Sequence, residues 1–272
     1  MKILSFGGGL GNQIFCYAFY LYMKEKYHQE QIYGYYNTNA LSEHHGLEID
    51  KWFDVQLPTQ KWYATLVLGI LYLLKKIIGN HKWVDTSTRE CYNENAIAFV
   101  AYKYTKIYLP KYEWIKWKFN EEHLSDRNRE LLSFIRSSNA WFIHVRRGDY
   151  LSPKYKELFE GCCTLSYYEQ AITDVLSKNP DAKFLCFSDD IDWAKENLPD
   201  VIDYFPDWNT GEKSPIDMFL MSQCKGAIIA NSTFSYWGAV LGIKKSKVYY
   251  PQKWINSKRG IPNIFFDEWI PL

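Results

Sequence analysis

The stretch His144-Val145-Arg146-Arg147-Gly148-Asp149-Tyr150 sets two arginines, a glycine and an aspartate directly after an apolar run. Buried strands rarely carry such charge unless it is paired or meets a ligand. Arginine suits phosphate because its planar fork makes two parallel hydrogen bonds. Backbone that stays extended through this stretch would put His144 and Arg146 on one face, and Val145, Arg147 and Asp149 on the other. Arg146 is then expected to face a diphosphate while Arg147 pairs with Asp149. A purely structural ion-pair cluster is the plainer alternative.

Three more stretches share this character. Gly7-Gly8-Gly9-Leu10-Gly11-Asn12-Gln13 follows another apolar run. Glycines let backbone approach a ligand closely and expose N–H groups at a helix start. The Lys and Ser/Thr of a phosphate loop are missing, and so is the dinucleotide G-x-G-x-x-G pattern. A tight strand-to-helix turn is the alternative. Ser188-Asp189-Asp190-Ile191-Asp192 offers carboxylates for ribose hydroxyls or guanine N–H groups. Asp190 and Asp192 also spell D-x-D, a metal-binding signature, although Asp190 can equally cap the helix that follows. In Asn231-Ser232-Thr233-Phe234-Ser235-Tyr236-Trp237-Gly238, an Asn and three hydroxyls at a helix start make a ready anion site, beyond what an N-cap needs. There is no G-x-S-x-G elbow and no H-E-x-x-H, so a serine hydrolase and a zinc protease are not indicated.

These stretches need strands to end where they begin. Lys2 to Phe6 reads as a strand, and Ile14, Phe15, Ala18, Phe19, Tyr22 and Met23 recur at helical spacing. A second strand is predicted over 31–36. From residue 139 the pattern predicts strands over 141–145, 183–187, 227–230 and 247–250. Helices are predicted over 167–177, 192–197, 216–224 and 234–241. Strands alternating with helices imply a parallel sheet covered on both faces, with ligands beyond the strand C-termini. The charged and hydroxylated stretches fall at those ends. Residues 121–135 are charged and helical and lead into a second domain, so the predicted division is 1–136 and 137–272.

Between them, Trp62 to Leu74 is almost wholly apolar and is followed by Lys75-Lys76. Thirteen residues are too few to cross a bilayer, which needs about 20. A buried or lid helix is expected, and an interfacial helix giving peripheral membrane contact is the other reading. If the helix is peripheral, Ser at Leu68 and Leu71 would leave affinity for the diphosphate ligand within a few-fold, whereas collapse of the fold would mark it as core.

The chain has 272 residues, enough for two small domains, and 47% are hydrophobic. Lys and Arg total 32 against 31 Asp and Glu, giving +1, which argues against a general nucleic-acid binder. Aromatics reach 18%, a surplus that suits sugar or base stacking as well as a core. The cysteines 16, 91, 162, 163, 186 and 224 form no C-x-x-C pair. With no apolar leader at MKILSFGGG, reduced thiols and a cytoplasmic protein, in peripheral contact with the inner membrane face at most, are expected. That setting offers the Arg147-Gly148-Asp149 tripeptide no adhesion receptor.

Taken together, the chain resembles the bacterial alpha-1,2-fucosyltransferases, the galactoside 2-alpha-L-fucosyltransferase family. The resemblance rests on GGGLGNQIFCYAF (7–19), HVRRGDY (144–150), FSDDIDWAKENL (187–198) and LMSQCKGAIIANSTFSYWGAVL (220–241). Ile14 and Cys16 depart from the family's Met and Gln, and Tyr236 from its Trp. The resemblance implies an α/β, GT-B type fold with two Rossmann-like domains facing across a cleft. It implies an inverting transfer of L-fucose from GDP-L-fucose to the 2-hydroxyl of a galactose, on an oligosaccharide or glycolipid acceptor, as in O-antigen synthesis. No cofactor or metal is expected. Arg146 would hold the diphosphate, with His144, Arg147, Asn231, Ser232, Thr233 and Ser235 around the donor. Asp189 or Asp190 would read guanine. Gly8, Gly9, Gly11 and Asn12 would face the sugar, and Asp149 would act as general base. The rivals are a one-domain, metal-dependent GT-A transferase using Asp190 and Asp192, a non-catalytic nucleotide-sugar binder, and a protein O-fucosyltransferase.

Overall fold

The computed structural model describes residues 1–79, 82–86, 92–100, 105–106, 115–256 and 262–272. The chain divides into two compact units, Met1–Phe119 and Asn120–Leu272.

In the first unit, β1 (Lys2–Phe6) leads into α1 (Leu10–Lys26) and β2 (Ile32–Tyr36). Short helices α2 (Thr38–Ser42) and α3 (Ile49–Trp52) follow, then α4 (Trp62–Ile78), β3 (Val84–Asp85) and β4 (Ala98–Phe99). The strands form one sheet in the order β2-β1-β4-β3, and every pairing is parallel. β1 is buried along its whole length, which accounts for its unbroken apolar run. On one face Ile3, Val84 and Ala98 pack against Ala64, Leu68 and Leu71 of α4. Leu68 and Leu71 are therefore core residues, so this face of the helix follows the buried reading and Ser at these positions is expected to disrupt the fold.

The second unit opens with α5 (Asp126–Ser137), capped by Ser125, whose hydroxyl accepts from the Asn128 N–H. β5 (Asn139–Val145), α6 (Lys156–Phe159), α7 (Leu165–Lys178), β6 (Ala182–Ser188), α8 (Ile191–Asn197) and β7 (Ile202–Tyr204) follow. Then come α9 (Pro215–Gln223), β8 (Gly226–Ile228), α10 (Thr233–Val240), β9 (Val248–Tyr250) and β10 (Ile270–Pro271). The expected boundary at 136/137 lies too late: α5 packs against β5 and α9 and belongs to the second unit. Its charged outer face reads as a linker in sequence, but Leu131, Leu132 and Ile135 are buried.

This sheet is also all parallel, in the order β10-β9-β8-β5-β6-β7. Counted from its own first strand, that is the 3-2-1-4-5-6 order of a doubly wound nucleotide-binding fold, read from the other edge. The order reverses between β5 and β8, so the crevice for a ligand opens beyond their C-terminal ends. Alternation along β5 sends Trp141, Ile143 and Val145 into a core with Tyr168, Ala171, Ile172 and Val175 of α7. Gly226 is required there: a Cβ would sit 2.3 Å from the Trp141 ring.

Cys16, Cys162, Cys163, Cys186 and Cys224 are free thiols, and Cys91 lies outside the described residues. No described helix is long and apolar enough to cross a membrane.

Candidate active site

β5 ends at Val145, and the chain turns instead of running on. Gly148 sits at φ −26° and ψ −91°, and a single 3-10 turn, Asp149–Leu151, closes the loop. The turn brings residue i+3 under residue i. The Arg146 Nη2 lies 2.8 Å from Asp149 Oδ1, and its Nη1 lies 3.0 Å from Asp189 Oδ2. Arg147 points elsewhere: its Nε donates to Asp190 Oδ2 at 2.9 Å, and its guanidinium lies 4.0 Å over the Trp193 ring. The expected Arg147–Asp149 pair is corrected accordingly, because strand alternation does not extend past Val145.

Asp189 holds this loop in place. Its Oδ1 accepts from the Arg147 backbone N–H at 2.9 Å, while Oδ2 faces Arg146. A Cβ on residue 148 would lie 2.6 Å from Asp189 Oδ2, so only glycine fits. Asp190 caps α8, accepting from the Trp193 N–H at 3.3 Å through Oδ1, while its Oδ2 takes Arg147. Both oxygens of each aspartate are thus engaged within the loop pair. The cap reading of Asp190, one of its two sequence alternatives, is what the structure has.

His144, the last residue but one of β5, lies on the face opposite Ile143 and Val145; it is buried, and its ring lies 5.9 Å from Phe234. Burial pulls its pKa down to about 3, against the opposing pull of Asp189, so the imidazole is neutral. Its Nδ1 has no hydrogen-bond partner among the described residues. Tyr150 joins this loop to the one after β8: its hydroxyl donates to the Asn231 carbonyl at 3.0 Å.

In the β8 loop the hydroxyl of Ser232 caps α10, accepting from the Phe234 N–H at 3.3 Å. Asn231 and Ser235 are buried and build the turn. The Asn231 amide donates to the Trp254 carbonyl at 3.0 Å, and its Oδ1 accepts from the Cys163 thiol at 3.3 Å. Ser235 faces the carbonyls of Ala230 and Ser232. Thr233 is half-buried at the helix start. Of the four expected anion contacts, Asn231 and Ser235 have their polar atoms turned into the protein.

The structure adds a carboxyl that the motifs do not contain. Asp217 stands in the first turn of α9, which runs from the ligand edge of the sheet back to the start of β8. Burial raises its pKa to about 7, although the Asn209 amide donates to it at 2.7 Å. Asn209 exchanges two hydrogen bonds with Asn128 of α5, and the Trp208 indole donates to Asn128 at 2.7 Å. The only sequence signal was the Pro215-Ile216-Asp217 helix start.

The first unit carries the other predicted residues, at the C-terminal end of β1. Gly8 has φ +70°, and its N–H donates to the Ala40 carbonyl at 3.1 Å. Gly9 begins α1 beside the His44 ring, 3.4 Å from where a Cβ would sit. Gly11 is buried and Asn12 half-buried in the first turn. Gln13, which sequence reasoning left without a role, organises the loop. Its amide donates to the carbonyls of Gly8 and Gly46, both at 2.9 Å, and its Oε1 accepts from the N–H groups of Glu48 and Ile49.

Two units on parallel sheets, the second with guanidinium groups at its switch point, define an α/β fold of the GT-B type. Residues 120–272 match the sequence profile of glycosyl transferase family 11, and the chain belongs to that family. It is therefore a glycosyltransferase enzyme. An Escherichia coli O-antigen biosynthesis glycosyltransferase, WbnK, is 39% identical over 140 residues, 50% of this chain and 45% of that relative. An Escherichia coli alpha-1,2-colitosyltransferase is 27% identical over 251 residues, 88% of this chain and 87% of that relative. A Caenorhabditis elegans galactoside 2-alpha-L-fucosyltransferase is 31% identical over 117 residues, 40% of this chain and 31% of that relative. The matched region is thus under half the length of the first and third relatives, and most of the second. Among solved structures, the NodZ alpha-1,6-fucosyltransferase co-crystallised with GDP aligns over 89% of this chain and 92% of its own. Its TM-score is 0.50 at 13% identity, a likeness of fold. The two-unit fold leaves no place for the one-domain GT-A alternative.

Proposed function

We propose that the enzyme moves L-fucose from GDP-L-fucose to the 2-hydroxyl of a galactose on a surface-glycan acceptor, with inversion at the sugar's anomeric carbon. The observation that carries the reading is the arginine loop of a family 11 chain placed at the β5/β8 switch point, beside the start of α10. The acceptor oxygen attacks the anomeric carbon while that carbon's bond to the β-phosphate oxygen breaks. The electron pair leaves with GDP, and the hydroxyl proton passes to a general base. Arg146 and the N-terminal end of α10, with Ser232 and Thr233, receive the growing phosphate charge, and no metal is needed. Arg147 and Asp189 position Arg146. Asp149 is the proposed base, with one oxygen on Arg146 and its side chain 39% exposed. Asp189 or Asp190 keeps the guanine assignment, since each engaged oxygen has a second lone pair, and His144 Nδ1 becomes a further ligand contact. Gly8, Gly9, Gly11 and Asn12 are assigned to the acceptor side.

A second donor is favoured by one observation: the relative that aligns over 88% of this chain is a colitosyltransferase. Colitose is fucose without its 3-hydroxyl, so a single polar contact separates the two. The test is release of GDP from GDP-fucose and from GDP-colitose with a panel of β-galactosides, in excess EDTA. GDP-fucose turnover that EDTA leaves unchanged is expected. Turnover with GDP-colitose alone would reassign the donor. Binding without turnover of either would make the chain a nucleotide-sugar binder.

A further inference from the structure

α4 has two apolar faces, and only one of them is covered. Ala64, Leu68 and Leu71 pack on the sheet of the first unit. On the opposite side Trp62 is 76% exposed, Leu66 56%, Ile70 49%, Leu73 57% and Ile77 69%. Those positions recur at three- and four-residue spacing, so they form one stripe along the helix. Gly69, within the stripe, faces open space. Contiguous apolar surface of this kind marks an interaction site.

The charges around it select the partner. Residues 60–79 contain no Asp or Glu, whereas Lys61 precedes the helix and Lys75 and Lys76 close it. None of the three lysines makes an ion pair among the described residues. Trp62, Tyr63 and Tyr72 add amphipathic rings of the kind that settle at a membrane–water interface. Seventeen residues at 1.5 Å each give about 25 Å, and one face is taken by the sheet, so the helix cannot span a bilayer. A second copy of the chain would oppose lysine to lysine with no acid on the helix to meet them.

We propose that the Trp62–Leu66–Ile70–Leu73–Ile77 stripe lies in the interface of an anionic lipid surface, with Lys61, Lys75 and Lys76 on the headgroups. The proposal is independent of the sugar transferred. It is tested on the full chain by co-sedimentation with vesicles of phosphatidylglycerol and phosphatidylcholine in equal parts, and with phosphatidylcholine alone. Binding to the anionic vesicles that weakens with salt is expected. The triple variant Leu66→Ser, Ile70→Ser, Leu73→Ser should lose about a hundredfold in partitioning while keeping the wild-type melting transition. Lys75→Gln with Lys76→Gln should lose about tenfold on anionic vesicles only. The proposal is overturned if the wild type stays in the supernatant with anionic vesicles. It is equally overturned if wild type is a dimer that the triple variant converts to monomer with no change in vesicle binding.

Discussion

The strand ends that carry the predicted residues are held by opposite kinds of force. At the end of β1 the glycine loop is tied by hydrogen bonds of the buried Gln13 side chain, two donated and two accepted. At the end of β5 the loop is fixed by ions: Arg146 against Asp149 and Asp189, Arg147 against Asp190. Bonds to a single amide leave the glycine backbone open to close approach, which suits a sugar. An ion lattice holds two guanidinium groups, each about 28–29% exposed, in fixed directions. That suits a diphosphate, because preorganised charge does not have to reorient as the leaving group departs.

The largest break in this contrast is expected at Arg146. Arg146→Lys keeps the charge but loses the fork that reaches two carboxylates, and turnover should fall about 30- to 1000-fold, or ~2–4 kcal/mol. Arg147→Lys should act mainly on stability, by about 1 kcal/mol, through the lost Asp190 pair and Trp193 stacking. Steady-state kinetics beside thermal melts separates the two. If Arg147→Lys abolishes turnover in a stable protein while Arg146→Lys does not, the roles are reversed.

Gln13→Ala should be next. It strands two backbone N–H groups and two carbonyls, at a cost of about 2–3 kcal/mol. Urea unfolding should show that loss in the first unit, with GDP binding retained. A variant as stable as the wild type would mean the glycine loop does not depend on Gln13.

The smallest effects concern pH. His144 has its pKa lowered from 6.5 to about 3 in the folded state. Between those values the unfolded chain binds the proton and the folded one does not, so stability falls as pH drops from 6.5 towards 3. Asp217 behaves in the opposite sense. Its pKa rises from 3.8 to about 7, so the folded state holds the extra proton and stability falls as pH rises through that window. His144→Phe should flatten the acid limb and Asp217→Asn the neutral limb. Melting curves across pH check both, and parallel curves for wild type and variants would remove the burial argument.

Much of the second unit was legible because its strands are long enough to show themselves: β5 and β6 run seven residues each. β8 and β9, three residues each, still showed as buried apolar runs, whereas β7 and β10 lie at the sheet edges and bury none of their residues. β3 and β4 in the first unit are buried but run only two residues each. At the site, residue types announced the loops but not the partners. The strand end at Val145 was legible, but alternation was carried past it and assigned Asp149 to Arg147, where the chain instead turns at Gly148. Asp217 stayed hidden because its burial comes from α9 docking, not from a motif. The α4 stripe was half visible: the apolar run was plain, but which side of it met the sheet was not.

The ionic edge, and not the glycine edge, is expected to take the diphosphate. Calorimetric titration of GDP into the wild type, Arg146→Lys and Gly9→Ala tests it directly. Gly9 has φ −71° and room for a methyl at 3.4 Å from His44, so that variant should fold. GDP affinity is expected to fall at least about tenfold in Arg146→Lys and to stay within about twofold in Gly9→Ala. Unchanged affinity in Arg146→Lys together with a loss in Gly9→Ala would contradict the account.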